Sequence, residues 1–423
     1  MRPHTTLRDL AEASDYDPNS MPVDKARAHI RRFLSPVTVS ERLAIRAALG
    51  RVLAQDVISP IDVPQHDNSA MDGFAVRFED LRIDGETALR VIGESFAGRP
   101  FSGKVGAEEA VRIMTGAVLP AGTDTVIQQE RAKFSGTTVS VLPAAKHGIN
   151  TRRAGEDLQR GAIALRTGQP LRAAEIGMLA SIGVGEVAVY RRLRVAFFST
   201  GDELVSIGQL PGPGQIYDSN RYTLYGLLTR LGFEVMDMGV IRDDPAAVEQ
   251  AFRAAAGAAD VVITSGGVSV GEADHVKSIL DRLGQVLFWK IAMKPGRPLA
   301  YGKIGDAHFF GLPGNPVAVM VTFYQFVRDA LLYLQGQTLV APVPSFPVKC
   351  ESALKKAPGR TEFQRGVLRQ DAGGTWTVSA TGDQGSGILS SMSQANCFIV
   401  LPADQGNVEP GALVNVQLLD GLV

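Results

Sequence analysis

The chain has 423 residues, with 43 Lys+Arg against 44 Asp+Glu and 45% apolar against 21% charged residues. This balance excludes an extended disordered polymer and a global positive field for nucleic acid or an anionic membrane, so any anion site must rest on local clusters. The length exceeds one ordinary core and predicts three or four compact units, discontinuous ones included.

Residues 1–20 read as a polar tail without an apolar core segment, and no run long enough to be an uninterrupted apolar span follows, so a cytoplasmic protein is expected. Apolar spacing predicts two short helices, over 23–32 and 39–49, separated by Pro36. From 56 to 144 the text changes to short apolar runs broken by Gly, Pro and Asp (LRVIGESFAG, EEAVRIMTGAVLP, TDTVIQQE), a β-rich insertion. The stretch 145–190 passes through a Gly- and Arg-rich loop (NTRRAGEDL) to a helix-like AAEIGMLASIG. It is expected to pack back on 21–55 as one discontinuous domain.

Between 191 and 338 strand-like and helix-like runs alternate, as in a parallel α/β sheet. Strands are expected at 194–199, 233–240 and 261–264. Leu224, Leu227, Leu228 and Leu231 form one helical stripe behind an Asp218-Ser219 cap. Pro245 opens a second helix with Val248, Phe252 and Ala255 on one face, and 273–283 forms a third. From 339 to 423 alternation returns (FPVKCESAL, FQRGVLRQ, NCFIVLP, LVNVQLL), which fits a small closed β-domain. The fold class is therefore α/β and β, in several domains.

Chemistry concentrates in three loops that follow strands of the α/β unit: 200–203 (TGDE), 265–274 (SGGVSVGEAD) and 311–316 (GLPGNP). Open α/β sheets bind ligands at the carboxyl ends of their strands, where glycine backbone and the next helix's free N–H groups suit phosphate. The candidates are Gly201, Ser265, Gly266, Gly267, Ser269, Gly271, Pro313, Gly314 and Asn315. Glu203 and Asp274 sit within these loops. Helix capping is their plain role, but two carboxylates beside a phosphate site call for a cation, and Mg²⁺ is the economical choice. Asp202, Asp243 and Asp244 are reserve ligands or caps. No zinc site is expected: Cys350 and Cys397 form no CxxC, and the six histidines are scattered. The run KIAMKPGRP then offers Lys290, Lys294 and Arg297 on a loop stiffened by two prolines, able to converge on a dianion or to stand as a solvated basic turn.

Together with 64–75 (PQHDNSAMDGFA), 112–116 (RIMTG) and 153–157 (RAGED), these motifs resemble the molybdopterin molybdenumtransferase family, which includes the E domain of gephyrin. The resemblance runs from about residue 24 to the end of the chain. It implies an elongated, dimeric, four-domain subunit whose 21–55 plus 145–190 piece serves linkage and dimerisation. It also implies Mg-dependent insertion of molybdate into adenylated molybdopterin with release of AMP, in a cleft between the α/β unit and the other subunit. Asp72, Thr115 and Asp157 match motif positions brought to that cleft, although their own context suggests only turns and caps. Phe74 stands where tyrosine is more usual. In the last domain the resemblance assigns Arg365 and Ser386 to anion contacts, whereas the residues alone read as an exposed strand residue and a loop hydroxyl. Expected partners are the small-molecule substrates, a second copy, and other cofactor-biosynthesis proteins or apo-molybdoenzymes. A molybdopterin adenylyltransferase and a non-catalytic scaffold are the rival readings.

Overall fold

The computed structural model describes residue 7, residues 17–267 and residues 273–419, with backbone alone for 273–275. Its centre is a six-stranded sheet. In spatial order its strands are Glu234–Ile241, Arg194–Thr200, Val261–Ser265, Ala307–Leu312, Pro298–Ile304 and Gly284–Lys290. The first four are parallel. Pro298–Ile304 runs antiparallel to both of its neighbours, which corrects the expected parallel sheet to a mixed one. Register brings Thr200 beside Ile241, and Ser265 beside both Ser199 and Leu312, so the loops leaving these strands emerge along one edge.

Period-2 alternation decides which helix covers which face. Along Arg194–Thr200, Val195 and Phe197 point into one core with Leu224, Leu227 and Leu228 of helix Ser219–Arg230. Ala196 and Phe198 point into the other core, with Val248, Phe252 and Ala255 of helix Pro245–Ala258. Both helices begin where expected: Asp218 accepts from the Arg221 amide at 3.2 Å, and Asp244 from the Ala247 amide at 2.8 Å.

The segment Pro316–Leu334 is long and apolar enough to cross a membrane by length and composition alone. It is 72% buried in the molecule, as a core helix would be. Its middle forms a π turn, Phe323–Val327. There the Gln325 carbonyl accepts from Arg27 Nε at 2.9 Å, and Gln325 Nε2 donates to Gln417 Oε1 at 3.3 Å. One turn thus fastens the first helix, Val23–Phe33, and the C-terminal β-domain to the α/β unit.

The helix expected over 39–49 is instead the strand Ser40–Ala44 followed by a turn. It pairs antiparallel with Glu186–Tyr190, and Arg51, nearly buried, donates to Glu41 Oε1 at 2.5 Å and to the Tyr190 carbonyl at 2.7 Å. Pairing with the β-branched EVAVY run outweighs a weak helical spacing. The β-rich insertion forms a six-stranded sheet from 73 to 141. In the C-terminal unit, Thr361–Gln370 pairs with both Trp376–Ala380 and Cys397–Leu401, which closes the sheet into a small barrel.

Candidate functional site

At the carboxyl edge of the parallel strands lies a cleft of about 260 Å³, lined by Thr200, Glu203, Asn220, Ser265, Gly266, Gly314 and Asn315 among others. It joins all three loops singled out in the sequence. The second loop is packed on the first: at Gly266 (φ +89°) a Cβ would fall 2.7 Å from the Thr200 carbonyl oxygen, and at Gly267 (φ +68°) 2.9 Å from Thr200 Oγ1. Only glycine permits both the left-handed backbone and that approach. The third loop is tied to the second by Asn220, whose Nδ2 donates to Ser265 Oγ at 2.8 Å and to the Gly314 carbonyl at 2.6 Å. Ser265 Oγ in turn donates to the Pro313 carbonyl at 3.4 Å.

Thr200 Oγ1 and Asn220 Oδ1 are buried at this cleft without a hydrogen-bond partner among the described residues. Buried polar atoms in this state mark a place where a partner is wanted. Glu203 is exposed and its carboxylate folds over Gly201, where a Cβ would collide with it. Next to it, Asp202 Oδ1 accepts from the Asp243 amide at 3.2 Å, so Asp202 orders the turn that carries Asp243. Asp274 lies in the first turn of helix Ala273–Leu283, its side chain outside the described set, and Ser269 and Gly271 fall outside the described residues altogether. No group of three metal-ligating side chains forms among the described residues.

The basic run does not line this cleft. Lys290 ends its strand with its amide on the Pro18 carbonyl (2.7 Å) and its carbonyl on the Met21 amide (3.1 Å). Lys294 and Arg297 are exposed, and Lys294 Nζ lies 3.5 Å from Glu362 Oε1. Arg365 is only 1% exposed, which corrects the reading of an exposed strand residue. Its Nε donates to Ser391 Oγ at 2.9 Å and its Nη2 to the Gly385 carbonyl at 3.0 Å. It therefore holds the 383–387 loop from behind. That loop reaches the cleft: Asn315 Nδ2 donates to Ser386 Oγ at 3.0 Å, and the Val317 amide to the Ser386 carbonyl at 3.1 Å.

The front-half motifs meet in a second place. Asp72 Oδ1 accepts from the Thr115 amide (2.7 Å) and hydroxyl (2.6 Å), and these two bonds hold the Asp72 carboxyl below the usual carboxylate range. Asp67 Oδ1 accepts from the Ala154 amide at 2.7 Å, and Asn68–Ser69 pairs with Thr151–Arg152. Asp157 stands exposed on the loop so fixed, its amide on the Val63 carbonyl at 3.0 Å. Among the described residues, no hydrogen bond or ion pair joins this cluster to the loops of the cleft. Phe74 is buried against Phe134, ring centroids 5.6 Å apart, and serves the core of the inserted sheet.

The chain matches three family models: MoeA N-terminal region (domain I and II) over 21–183, probable molybdopterin binding domain over 196–333, and MoeA C-terminal region (domain IV) over 347–419. It is 48% identical to the molybdopterin molybdenumtransferase of Haemophilus influenzae, over 95% of this chain and 99% of that one. The chain belongs to the molybdopterin molybdenumtransferase family. A Nostoc molybdopterin molybdenumtransferase is 38% identical over 88% of this chain and 87% of its own length. The crystal structure of the molybdopterin biosynthesis MoeA protein from Pyrococcus horikoshii superposes with a TM-score of 0.82 at 29% identity, covering 95% of this chain and 100% of that one.

Within the family's probable molybdopterin binding domain, the cleft depends on a residue that sequence reasoning passed over. Asn220 follows the Asp218-Ser219 cap and would be read as a solvated first-turn residue, yet it is 9% exposed. The only signal was a polar side chain one turn ahead of an apolar stripe. Asn220→Ala should lower stability by about 1–3 kcal/mol, since the Gly314 carbonyl and Ser265 lose a buried donor. Chemical unfolding followed at the α/β unit checks this, and a midpoint equal to that of the parent chain would show that the bridge contributes nothing.

Proposed function

We propose that this transferase is a molybdenum insertase that acts on adenylated molybdopterin, cleaves its phosphoanhydride to release AMP, and leaves molybdenum on the dithiolene. The observation that carries the reading is the convergence of three glycine-bearing loops on one cleft, with a carboxylate at its rim and buried polar atoms that find no partner among the described residues. Loop amides and glycine backbone suit phosphate oxygens, and the walls fix their direction before the ligand arrives. If water cleaves the anhydride, its hydroxyl goes to one phosphorus and its proton to the departing phosphate oxygen, giving AMP and the pterin phosphate. Molybdate oxygen is the alternative nucleophile.

The residues present fit Mg²⁺. Glu203 is an exposed carboxylate at the cleft with no ion-pair partner among the described residues, and Asp274 opens the helix that follows the second loop. One or two carboxylates with substrate phosphates is the usual Mg²⁺ donor set. When bound, the ion supplies positive charge against the anhydride oxygens. Asp243 is the reserve carboxylate, ordered through Asp202. Lys290, Lys294 and Arg297 offer cations to molybdate or to the pterin phosphate, with Ser386 at the neighbouring loop and Arg365 shaping that loop.

We assign Asp72, Thr115 and Asp157 to the same reaction through a homodimer, in which one copy's front cluster faces the other's cleft. The isolation of the two clusters within one chain supports this arrangement. A molybdopterin adenylyltransferase would have no use for the front cluster or the barrel.

The direct test mixes the protein with adenylated molybdopterin, Mg²⁺ and molybdate and measures AMP and active cofactor together. Glu203→Gln should reduce AMP release at least about tenfold with the fold intact, because it removes charge that offsets the phosphate oxygens. A Glu203→Gln enzyme with unchanged, chelator-insensitive turnover would contradict the metal assignment. Equal mixtures of Asp157→Asn and Lys294→Ala chains, each strongly reduced but measurable in turnover, should rise to about one quarter of wild-type turnover, since half the dimers would be hybrids with one intact site. Recovery of nothing, with subunit exchange demonstrated, would place each site within a single chain.

A further inference from the structure

The backbone around Lys294 is fixed on several sides. Met293-Lys294 pairs in parallel with Thr361-Glu362, the Thr361 amide donates to the Ala292 carbonyl at 2.9 Å, and the Ile291 amide donates to the Arg297 carbonyl at 2.6 Å. Gly296 (φ +95°) lies so close to helix Pro316–Thr322 that a Cβ there would fall 2.5 Å from Thr322 Oγ1. What the loop leaves undetermined is the direction of the long, half-exposed Lys294 side chain, which has many rotamers when free.

Glu362 is the group that sets that direction. It is 3% exposed, on a strand of the barrel, and the parallel register seats it beside Lys294. Its Oε1 lies 3.5 Å from Lys294 Nζ, and its Oε2 accepts from Gln364 Nε2 at 3.0 Å. A second lysine, Lys356, lies buried in the same unit. Lys356 is 6% exposed, and its ammonium donates to the carbonyls of Ala357 (3.3 Å), Ala403 (3.4 Å) and Gln405 (2.8 Å). Burial pushes the Lys356 ammonium below the usual lysine value, while the charge of Glu362 opposes that shift. Lys356 thus has its donors on carbonyls, and Lys294 is the lysine that reaches the Glu362 carboxylate.

We infer that Glu362 is a positioning residue for the transferase reaction: anchored by Gln364 and by the strand register, it aims the Lys294 ammonium at the anion that the KIAMKPGRP loop receives. This rests on the reading above that Lys294 meets a substrate anion. The Glu362 carboxylate offsets part of the Lys294 charge while it holds the ammonium in one orientation. Removing the Glu362 charge would strengthen attraction while releasing the donor. The two kinetic constants should therefore separate: in Glu362→Gln, turnover falls at least about tenfold while half-saturating molybdate stays equal or decreases.

The test is a double-mutant cycle on the intact protein, with turnover and half-saturating molybdate measured for Glu362→Gln, Lys294→Ala and the double variant. If Glu362 acts through Lys294, adding Glu362→Gln to Lys294→Ala changes turnover by less than about twofold. If it lowers turnover as much in that background as in the parent, Glu362 does not act through Lys294 and the inference is overturned. If Lys294→Ala alone keeps full turnover, the reading of Lys294 itself fails, a distinct result that also removes the inference. Glu362→Asp guards against loss of folding, since it keeps a negative charge at this buried position but retracts it from Lys294. It should show the same fall in turnover at an unchanged melting temperature, and wild-type turnover in this variant would overturn the proposal.

Discussion

The Asn220 side-chain amide is the constraint on which the cleft depends. Its Nδ2 reaches Ser265 at the end of one parallel strand and Gly314 beyond the end of the neighbouring one. This reach exists because register sets Ser265 against Leu312 and because the Asp218 cap starts the helix at Ser219, which places Asn220 in its first turn facing the loops. The alternation of Val195 and Phe197 with Ala196 and Phe198 sends the two covering helices to opposite faces and leaves the edge between them open. The cleft is thus a product of sheet register, helix capping and one buried amide.

Around that edge the remaining units are tethered by single, well-buried devices. The π turn at 323–327 holds the first helix through Arg27 and the barrel through Gln417. On the other side, the KIAMKPGRP loop is stitched to the 18–21 segment by Lys290 and to the barrel by Met293-Lys294. Arg365 orders the 383–387 loop, and Ser386 passes that order to Asn315. The barrel therefore meets the cleft through its 383–387 loop, which Arg365 holds from within.

Much of this was legible in the sequence, for reasons that differ by residue. The three loops were found because glycine runs after buried strands have few other uses, and the leucine stripe and its Asp218 cap because helical period and capping are local. The 39–49 segment was misread since its partner, Glu186–Tyr190, lies far away in the chain and Arg51 secures the pair from outside both strands. Asn220, Glu362 and Lys356 were invisible because a buried polar residue looks like a solvated one until its partners are known. Arg365 read on its own as an exposed strand residue, whereas packing buries its guanidinium against Ser391 and the Gly385 carbonyl, a distinction that only tertiary structure makes.

The central claim is that the cleft beside Asn220 receives the nucleotide-bearing substrate. Hydrogen exchange of the protein with and without adenylated molybdopterin and Mg²⁺ tests it most directly. The account predicts slowed exchange in peptides covering 200–204, 265–267 and 313–317, with the apolar groove between Arg31, Phe326 and Tyr333 unchanged. Protection confined to that groove, with the three loops exchanging as in the free protein, would contradict it.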